Sequence, residues 1–285
     1  MHLASCLLAC SLLTAHLAVC ATEIVRTPRP EFDGDRRYDY PLQLLQLALS
    51  KSSTKYEIRQ ADVAMNQERQ VLEIEAGRTI DVGPIPSSAE REARLQAIYI
   101  PLNKGLLGWR LGLVRKGDSG KMSGVDNLAG LKTLRIAQGQ EWPDTQILRA
   151  NGIEVITAPR YEGLFKMLIG GRFDYFPRSM MEIWDEQALN ADTLEVEPHL
   201  TLHYLYDAYF MVNRRNTKLA NDIREGLEKA IADGSFDKVF QDYFGERLRK
   251  ARLGSRAVIE LRNPLLTPGT PSDRPELWYD AKRGR

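Results

Sequence analysis

Apolar and polar positions between residues 134 and 184 alternate between short apolar runs, turns and amphipathic stretches. This order predicts two successive strand-loop-helix units closed by a third strand. Residues 134–137 form an apolar run broken by Gly139, and a turn carrying Trp142, Pro143 and Asp144 opens a helix through Leu148. Residues 153–157 are the second strand. The following helix places Leu164, Phe165, Met167 and Leu168 on one apolar stripe, ends at Gly170 and Gly171, and leads into a strand at 173–176. Strands alternating with short helices imply a parallel sheet with right-handed crossovers. Ligands of such sheets bind outside the carboxyl ends of the strands. Here those ends are 139–144, 159–162 and 177–179, which predicts one wall of a cleft.

The same plan runs through the first third of the chain. Residues 23–26 read as a strand and 27–37 as a polar loop. A helix follows with Asp39 as N-cap and Leu42, Leu45, Ala48 and Leu49 on its buried face. A strand at 56–63, a charged helix at 67–76 and a strand at 79–82 complete a second β-α-β-α-β lobe. Two strand-like links, 109–115 and 206–213, imply that the chain crosses between the lobes twice, which is hinge architecture with the cleft between the lobes. Residues 217–245 read as two helices broken at Asp233 and Gly234 and ending at Gly245. The expected division is lobe 1 from 22–112 plus 207–245, lobe 2 from 113–206, and a basic, Pro-rich tail at 246–285 that is a surface strap or a disordered end.

Composition narrows the class. A chain of 285 residues, 43% hydrophobic and 27% charged, buries a real core, and a formal net charge of +1 gives no argument for nucleic acid. Residues 1–21 carry no Lys, Arg, Asp or Glu and end Val19-Cys20-Ala21, which suits a cleaved export signal followed by Thr22. The apolar core is too short for a membrane span. The start has only His2 in place of the usual basic residue, which a misplaced start codon would equally explain. Cys6, Cys10 and Cys20 all fall inside this segment, so the mature chain would have no disulfide or thiolate chemistry. Soluble export to the periplasm is favoured over lipid anchoring at Cys20, because Val19 is not the small residue such sites prefer.

Several short motifs, in order, carry a resemblance to a known family. They are 76–82 (Ala-Gly-Arg-Thr-Ile-Asp-Val), Ser88-Ala-Glu-Arg91, 114–118 in the crossing strand, 125–131, 170–174, 229–234 and Tyr243-Phe-Gly245. The chain resembles the type II periplasmic solute-binding proteins, specifically family 3, the polar-amino-acid receptors of ABC importers, from about residue 23 to 245. The resemblance implies a two-lobed α/β fold that closes around a small solute. It also implies that Arg91, in its Ser-x-x-Arg turn, grips a ligand carboxylate with a planar fork that Lys would not reproduce. A solvated helix-face arginine is the alternative.

Two departures from the family pattern bear on the ligand. The hydroxyl-rich first turn of the second lobe is replaced by Gly139-Gln-Glu-Trp-Pro-Asp144, where Trp142 either stacks on a ligand or plugs the helix start. The family's ligand-ammonium aspartate falls at Ser179, preceded by Arg178. A cation beside the cleft repels an ammonium and attracts an anion, so an organic anion gains ground over a standard α-amino acid. The alternative for Arg178 is an ion pair with Glu182 one turn on, worth about a few tenths of a kcal/mol if exposed. Trp109 and Tyr161, with Tyr38 and Tyr40, are further wall candidates, and packing is their alternative. His199 and His203 have no acidic partner at metal-ligand spacing, so no metal or other cofactor is expected.

The expected function is therefore a periplasmic, monomeric, non-catalytic receptor that delivers a carboxylate-bearing solute to an inner-membrane ABC permease. A sensor subunit of the same fold is the second reading. A cyclohexadienyl-dehydratase-like enzyme with Glu141 as general acid is the third.

Overall fold

A computed structural model describes residues 22–30 and 36–284. The segment read as an export signal, with its three cysteines, lies outside the described residues. The first part of the chain runs β1 (Glu23–Thr27), α1 (Asp39–Ser50), β2 (Tyr56–Gln60), α2 (Gln67–Ala76), β3 (Val82–Pro86), α3 (Ala89–Arg94) and β4 (Leu95–Ile98). The second runs β5 (Trp109–Arg115), α4 (Leu128–Leu131), β6 (Ile136–Gly139), α5 (Pro143–Ala150), β7 (Val155–Ala158), α6 (Tyr161–Ile169), β8 (Phe176–Ser179), α7 (Ile183–Leu189) and β9 (Leu194–His203). The chain then returns through β10 (Ala208–Asn213), α8 (Thr217–Ala232) and α9 (Ser235–Ala251), and adds β11 (Ala257–Glu260).

Two α/β lobes result. In the first, β1 and β2 pair in parallel, the Asp81 N–H donates to Arg26 O at 2.8 Å beside β1, and β10 runs antiparallel between β3 and β4. In the second, β6 and β7 pair in parallel and a parallel bridge joins Ile136 to Tyr175 ahead of β8. β5 is antiparallel to both β8 and β9, and β11 lies parallel on the outer edge of β9. β5 and β10 therefore carry the chain into and out of the second lobe. The crossings lie just before each.

Strands β3, β6, β7 and β8 start two or three residues later than the apolar runs at 79–82, 134–137, 153–157 and 173–176 suggest. Ile80, Ile153 and Phe173 are buried, but they approach the sheet as packed loop before the ladder begins. Hydrophobic pattern reports burial, and here burial starts earlier than pairing. The prolines Pro84, Pro86 and Pro177 lie inside β3 and β8, where apolar runs had already ended in the sequence reading. Helix α1 has Tyr38 at its N-cap, and Asp39 is its first helical residue, paired with Arg36. Strands β4 and β9 and helix α7 have no counterpart in the sequence reading. In β9 the Glu197 carboxylate accepts the backbone N–H groups of His199 and Leu200 and folds the strand around Pro198, which hides its alternation.

Helix α9 continues past Gly245 to Ala251, because Leu248 and Ala251 extend its buried face. Beyond it the tail is an ordered strap. Its Arg256 guanidinium donates to the carbonyls of Ala251, Glu197 and Leu200 at 2.7, 2.6 and 3.1 Å, which fixes β11 beside β9 on lobe 2. The Asn263 amide then donates to Leu205 O at 2.8 Å in the second crossing, and Arg274 pairs with Glu228 of α8 on lobe 1 at 2.6 Å. The strap thus spans both lobes.

The crossings themselves are tightly held. The buried Asp207 carboxylate accepts from the N–H groups of Gly105, Asn103 and Ala208 and from the Asn103 amide at 2.6–3.0 Å, joining one crossing to the other. Lys104 and Gly105 both adopt left-handed backbone (φ 49 and 78), and a side chain at Gly105 would meet the Trp278 ring at 2.6 Å. Glycine is required there on both counts. The largest hydrophobic cluster runs through both lobes, from Leu44 and Phe210 to Leu113 and Phe176.

Candidate functional site

The candidate residues lie at the carboxyl ends of β6, β7 and β8, in α3 and in the second crossing. Arg91 sits in the first turn of α3, whose N-cap Ser88 accepts the Arg91 N–H at 3.3 Å. Its half-exposed guanidinium donates to Pro86 O at 3.0 Å and to Gln67 Oε1 at 3.4 Å. Both acceptors are uncharged, so among the described residues no hydrogen bond or ion pair matches the cation with a carboxylate.

On lobe 2, Asp144 in the first turn of α5 is buried against Arg110 of β5. The Arg110 Nη2 lies 2.9 Å from Asp144 Oδ1, and its Nε donates to the Tyr204 hydroxyl at 2.8 Å. Tyr204 in turn donates to Asp144, closing a buried triad. Burial works against the Arg110 charge, but Asp144 and its other neighbours outweigh it and hold the guanidinium above its ordinary pKa. Tyr206, half-buried at the second crossing, lies in the fields of Asp144, Arg110 and Arg91 together, and burial pushes its phenol up to about 12.

Arg178, on β8, is almost fully buried. Its Nε and Nη2 make three bonds to Glu186 at 2.6–2.9 Å, and Nη2 reaches Glu182 at 2.5 Å. Desolvation opposes its charge, yet the Glu182 and Glu186 carboxylates more than compensate and raise its pKa. The pair with Glu182 forms, and a second carboxylate joins it. With one cation facing two anions, Arg178 does not present a free positive charge to the cleft.

Trp142 folds back over Gly139, where an added Cβ would meet its ring at 2.4 Å. It lies 4.7 Å from the Arg178 guanidinium, stacks parallel to Phe176 at 6.4 Å, and tilts towards Tyr161 at 6.2 Å. Tyr161, 42% exposed, donates its hydroxyl to Glu186 at 2.9 Å, and burial with that carboxylate raises its pKa. Trp142, Tyr161 and Arg178 therefore form one cluster. Ser179 is fully buried beside it, its hydroxyl donating to Leu106 O at 3.3 Å.

Other candidates lie apart. Trp109, next to Arg110 on β5, takes the opposite face and packs on His203 at 4.1 Å and Tyr279 of the strap at 6.4 Å. Tyr40 is core, donating to Leu102 O at 2.8 Å, and Tyr38 accepts from Gln70 at 2.6 Å while lining a small, mostly apolar hollow with Thr27, Gln60 and Phe210. His203 pairs with Glu260 at 2.7 Å, and no group of three metal-ligating side chains occurs among the described residues. Among the described residues, no helix is long and apolar enough to cross a membrane.

The sequence reading missed Arg110, Tyr204, Tyr206 and Glu186. Arg110 did carry a signal, a single cation inside an apolar strand, which needs a buried partner. Glu186 carried none, because its position depends on where α7 docks.

No protein-family model matches the chain, and no curated protein matches it. Solved structures do. The L-cystine solute receptor of Neisseria gonorrhoeae, in its unliganded open conformation, is 15% identical with a TM-score of 0.53, over 79% of this chain and 93% of that one. An ancestral arginine-binding protein bound to arginine is 17% identical with a TM-score of 0.50, over 78% and 98%. A histidine kinase sensor domain with similarity to periplasmic binding proteins is 16% identical with a TM-score of 0.50, over 79% and 96%. The likeness is one of fold, and that fold is the two-lobed architecture of the type II periplasmic binding proteins.

Proposed function

We propose that the chain is an exported solute-binding protein that captures a small carboxylate-bearing solute between its lobes and delivers it to an inner-membrane importer. The observation that carries this reading is the hydrogen bonding of Arg91. A guanidinium on the cleft-side turn of α3, bonded to a carbonyl and an amide oxygen, keeps its charge available for a bidentate carboxylate. In this reading Tyr206 and the Arg110–Asp144 pair are the polar groups that face it, which the influence of both Arg91 and Asp144 on the Tyr206 phenol supports. Trp142 and Tyr161 supply the aromatic wall of lobe 2, with Asp144, Arg178 and Ser179 behind them as support. Trp109 belongs to the strap side. The lobes of this reading are 22–112 with 207–245, and 113–206, with one adjustment: residues 109–112 pair with β8 and β9 and so go with lobe 2.

Arg178 no longer argues for an anion over a zwitterion. Its cluster holds two carboxylates to one cation, and the half-exposed Glu182 leaves that wall acidic. The solute class is thus one carboxylate for Arg91, with or without an ammonium near Glu182. The chemistry is binding and release, with no catalytic role for Glu141, and the location is periplasmic.

The test is calorimetry of wild type, Arg91→Ala and Arg91→Lys against amino acids and organic acids. A ligand bound by wild type should weaken at least about tenfold in Arg91→Ala, and Arg91→Lys should not restore it. Equal affinity in all three chains would remove Arg91 from the site. The likeness to a histidine kinase sensor domain favours a second reading, in which a membrane-bound signalling partner reads the same closure. Cross-linking of the loaded chain in membranes tells which partner it meets.

A further inference from the structure

The surroundings of Arg178 form a complete guanidinium site. The cation lies 4.7 Å from the centre of the Trp142 ring, 5.1 Å from Phe176 and 5.8 Å from Tyr161. Glu186 takes three of its hydrogen bonds and Glu182 a fourth. Aromatic faces combined with two carboxylates are what recognises a planar organic cation. These walls come from the start of α5, the start of α6, β8 and α7, all at the carboxyl ends of the lobe 2 strands. The site opens to solvent at one edge, where Tyr161 is 42% exposed and the Glu182 side chain 46%.

We infer that Arg178 is a built-in ligand, occupying a cation subsite of lobe 2 and so excluding guanidinium- or ammonium-bearing side chains of solutes from it. Arg178 is then a specificity-determining residue that acts by filling a site. Removing the side chain leaves two carboxylates facing an aromatic box without the cation they are bonded to, and the vacated volume matches an alkylguanidinium. The consequence for solute choice rests on the solute-binding reading above. The occupancy itself does not, so it is tested without any solute.

The experiment is chemical rescue of the full chain carrying Arg178→Ala with millimolar ethylguanidinium chloride, against sodium chloride and tetramethylammonium chloride at equal ionic strength. Thermal midpoint and tryptophan emission are read together, since Trp142 lines the site. The variant should melt below wild type, and ethylguanidinium should raise its midpoint by about 3 °C or more while leaving wild type unmoved. Tetramethylammonium, which lacks donors for Glu186, should do less. If Arg178→Ala does not fold unaided, refolding is run in each salt, and recovery with ethylguanidinium alone supports the inference. Equal response to all three salts, no response in the variant, or the same response in wild type overturns it. A wild type that binds no carboxylate solute leaves this result standing, so the two failures are distinguishable.

Discussion

Thr267 of the strap donates its hydroxyl to the Glu92 carboxylate at 2.9 Å, one residue along from Arg91. The same carboxylate accepts from Ser87 at 2.5 Å and Tyr99 at 2.8 Å, so one acidic group ties the strap to the turn that presents the candidate ligand arginine. Further on, the Tyr279 N–H donates to Lys104 O at 2.7 Å on the first crossing. Any rotation of the lobes must stretch or slide these contacts. A chain truncated after Leu261 should therefore loosen the crossings first. Amide exchange at 99–108 and 204–207 should speed up by about tenfold or more, while the strands of both sheets keep their protection. Unchanged exchange at the crossings would show that the strap is a passenger.

Two carboxylates, one half-buried and one buried, should push acid stability in opposite directions. Arg135, and after it Arg115, hold the Asp174 carboxyl down at about 2. Its folded pKa lies below the unfolded value near 4, so its contribution is complete above about pH 4 and is lost as pH falls through 2. Asp174→Asn should cost up to about 2 kcal/mol at pH 6 and progressively less towards pH 2. At the hinge, burial pushes Asp207 up to about 6 despite its backbone N–H donors. Here the native state binds the extra proton between about pH 4 and 6, so this group's contribution is present below pH 4 and is lost as pH rises through 6. The amide resonance of Gly105, which donates to Asp207, should titrate with a midpoint near 6. A midpoint below about 4.5 would show that the N–H donors outweigh desolvation.

Helices α1 and α8 touch backbone to backbone. A Cβ at Gly226 would lie 2.0 Å from Ala48 O, so Gly226→Ala must drive the helices apart. Overpacking of this kind typically costs about 1–3 kcal/mol, against a helix-propensity gain of about 1 kcal/mol for replacing glycine. The net effect should be a lower urea midpoint with an unchanged slope. A raised midpoint would mean that the helices separate freely.

Strand alternation and helical stripes made the two-lobed plan legible, because each lobe repeats the same local rule and needs no long-range information. The Ser88-x-x-Arg91 turn was legible as a helix start, and it opens α3. What was hidden depends on docking. Arg178 read as a cation facing a cleft, and only the placement of α7 brings Glu186 under it. Arg110 read as part of a crossing strand, and only the meeting of β5, α5 and the second crossing buries it with Asp144 and Tyr204. The strap has no periodicity to read: its order comes from contacts such as Arg274 with Glu228 and Trp278 over Gly105, each on a partner far away in sequence.

The Arg110–Asp144 pair allows a sharper test of how lobe 2 holds its site. Both side chains are less than a tenth exposed, and Tyr204 bonds to each. Removing one partner strands the other charge in the interior, which is far more costly than removing both. Asp144→Ala alone should cost about 3–5 kcal/mol, whereas Arg110→Met combined with Asp144→Leu should recover most of that loss by replacing the pair with packed apolar volume. The comparison is made by urea unfolding at pH 7 on the full chain, with a double-mutant cycle to isolate the coupling. A single variant costing under about 1 kcal/mol would mean that water reaches Arg110 and that the triad is part of an open cleft surface. A large coupling would mean that Arg110 and Asp144, with Tyr204 bonded to both, stand or fall as one buried unit.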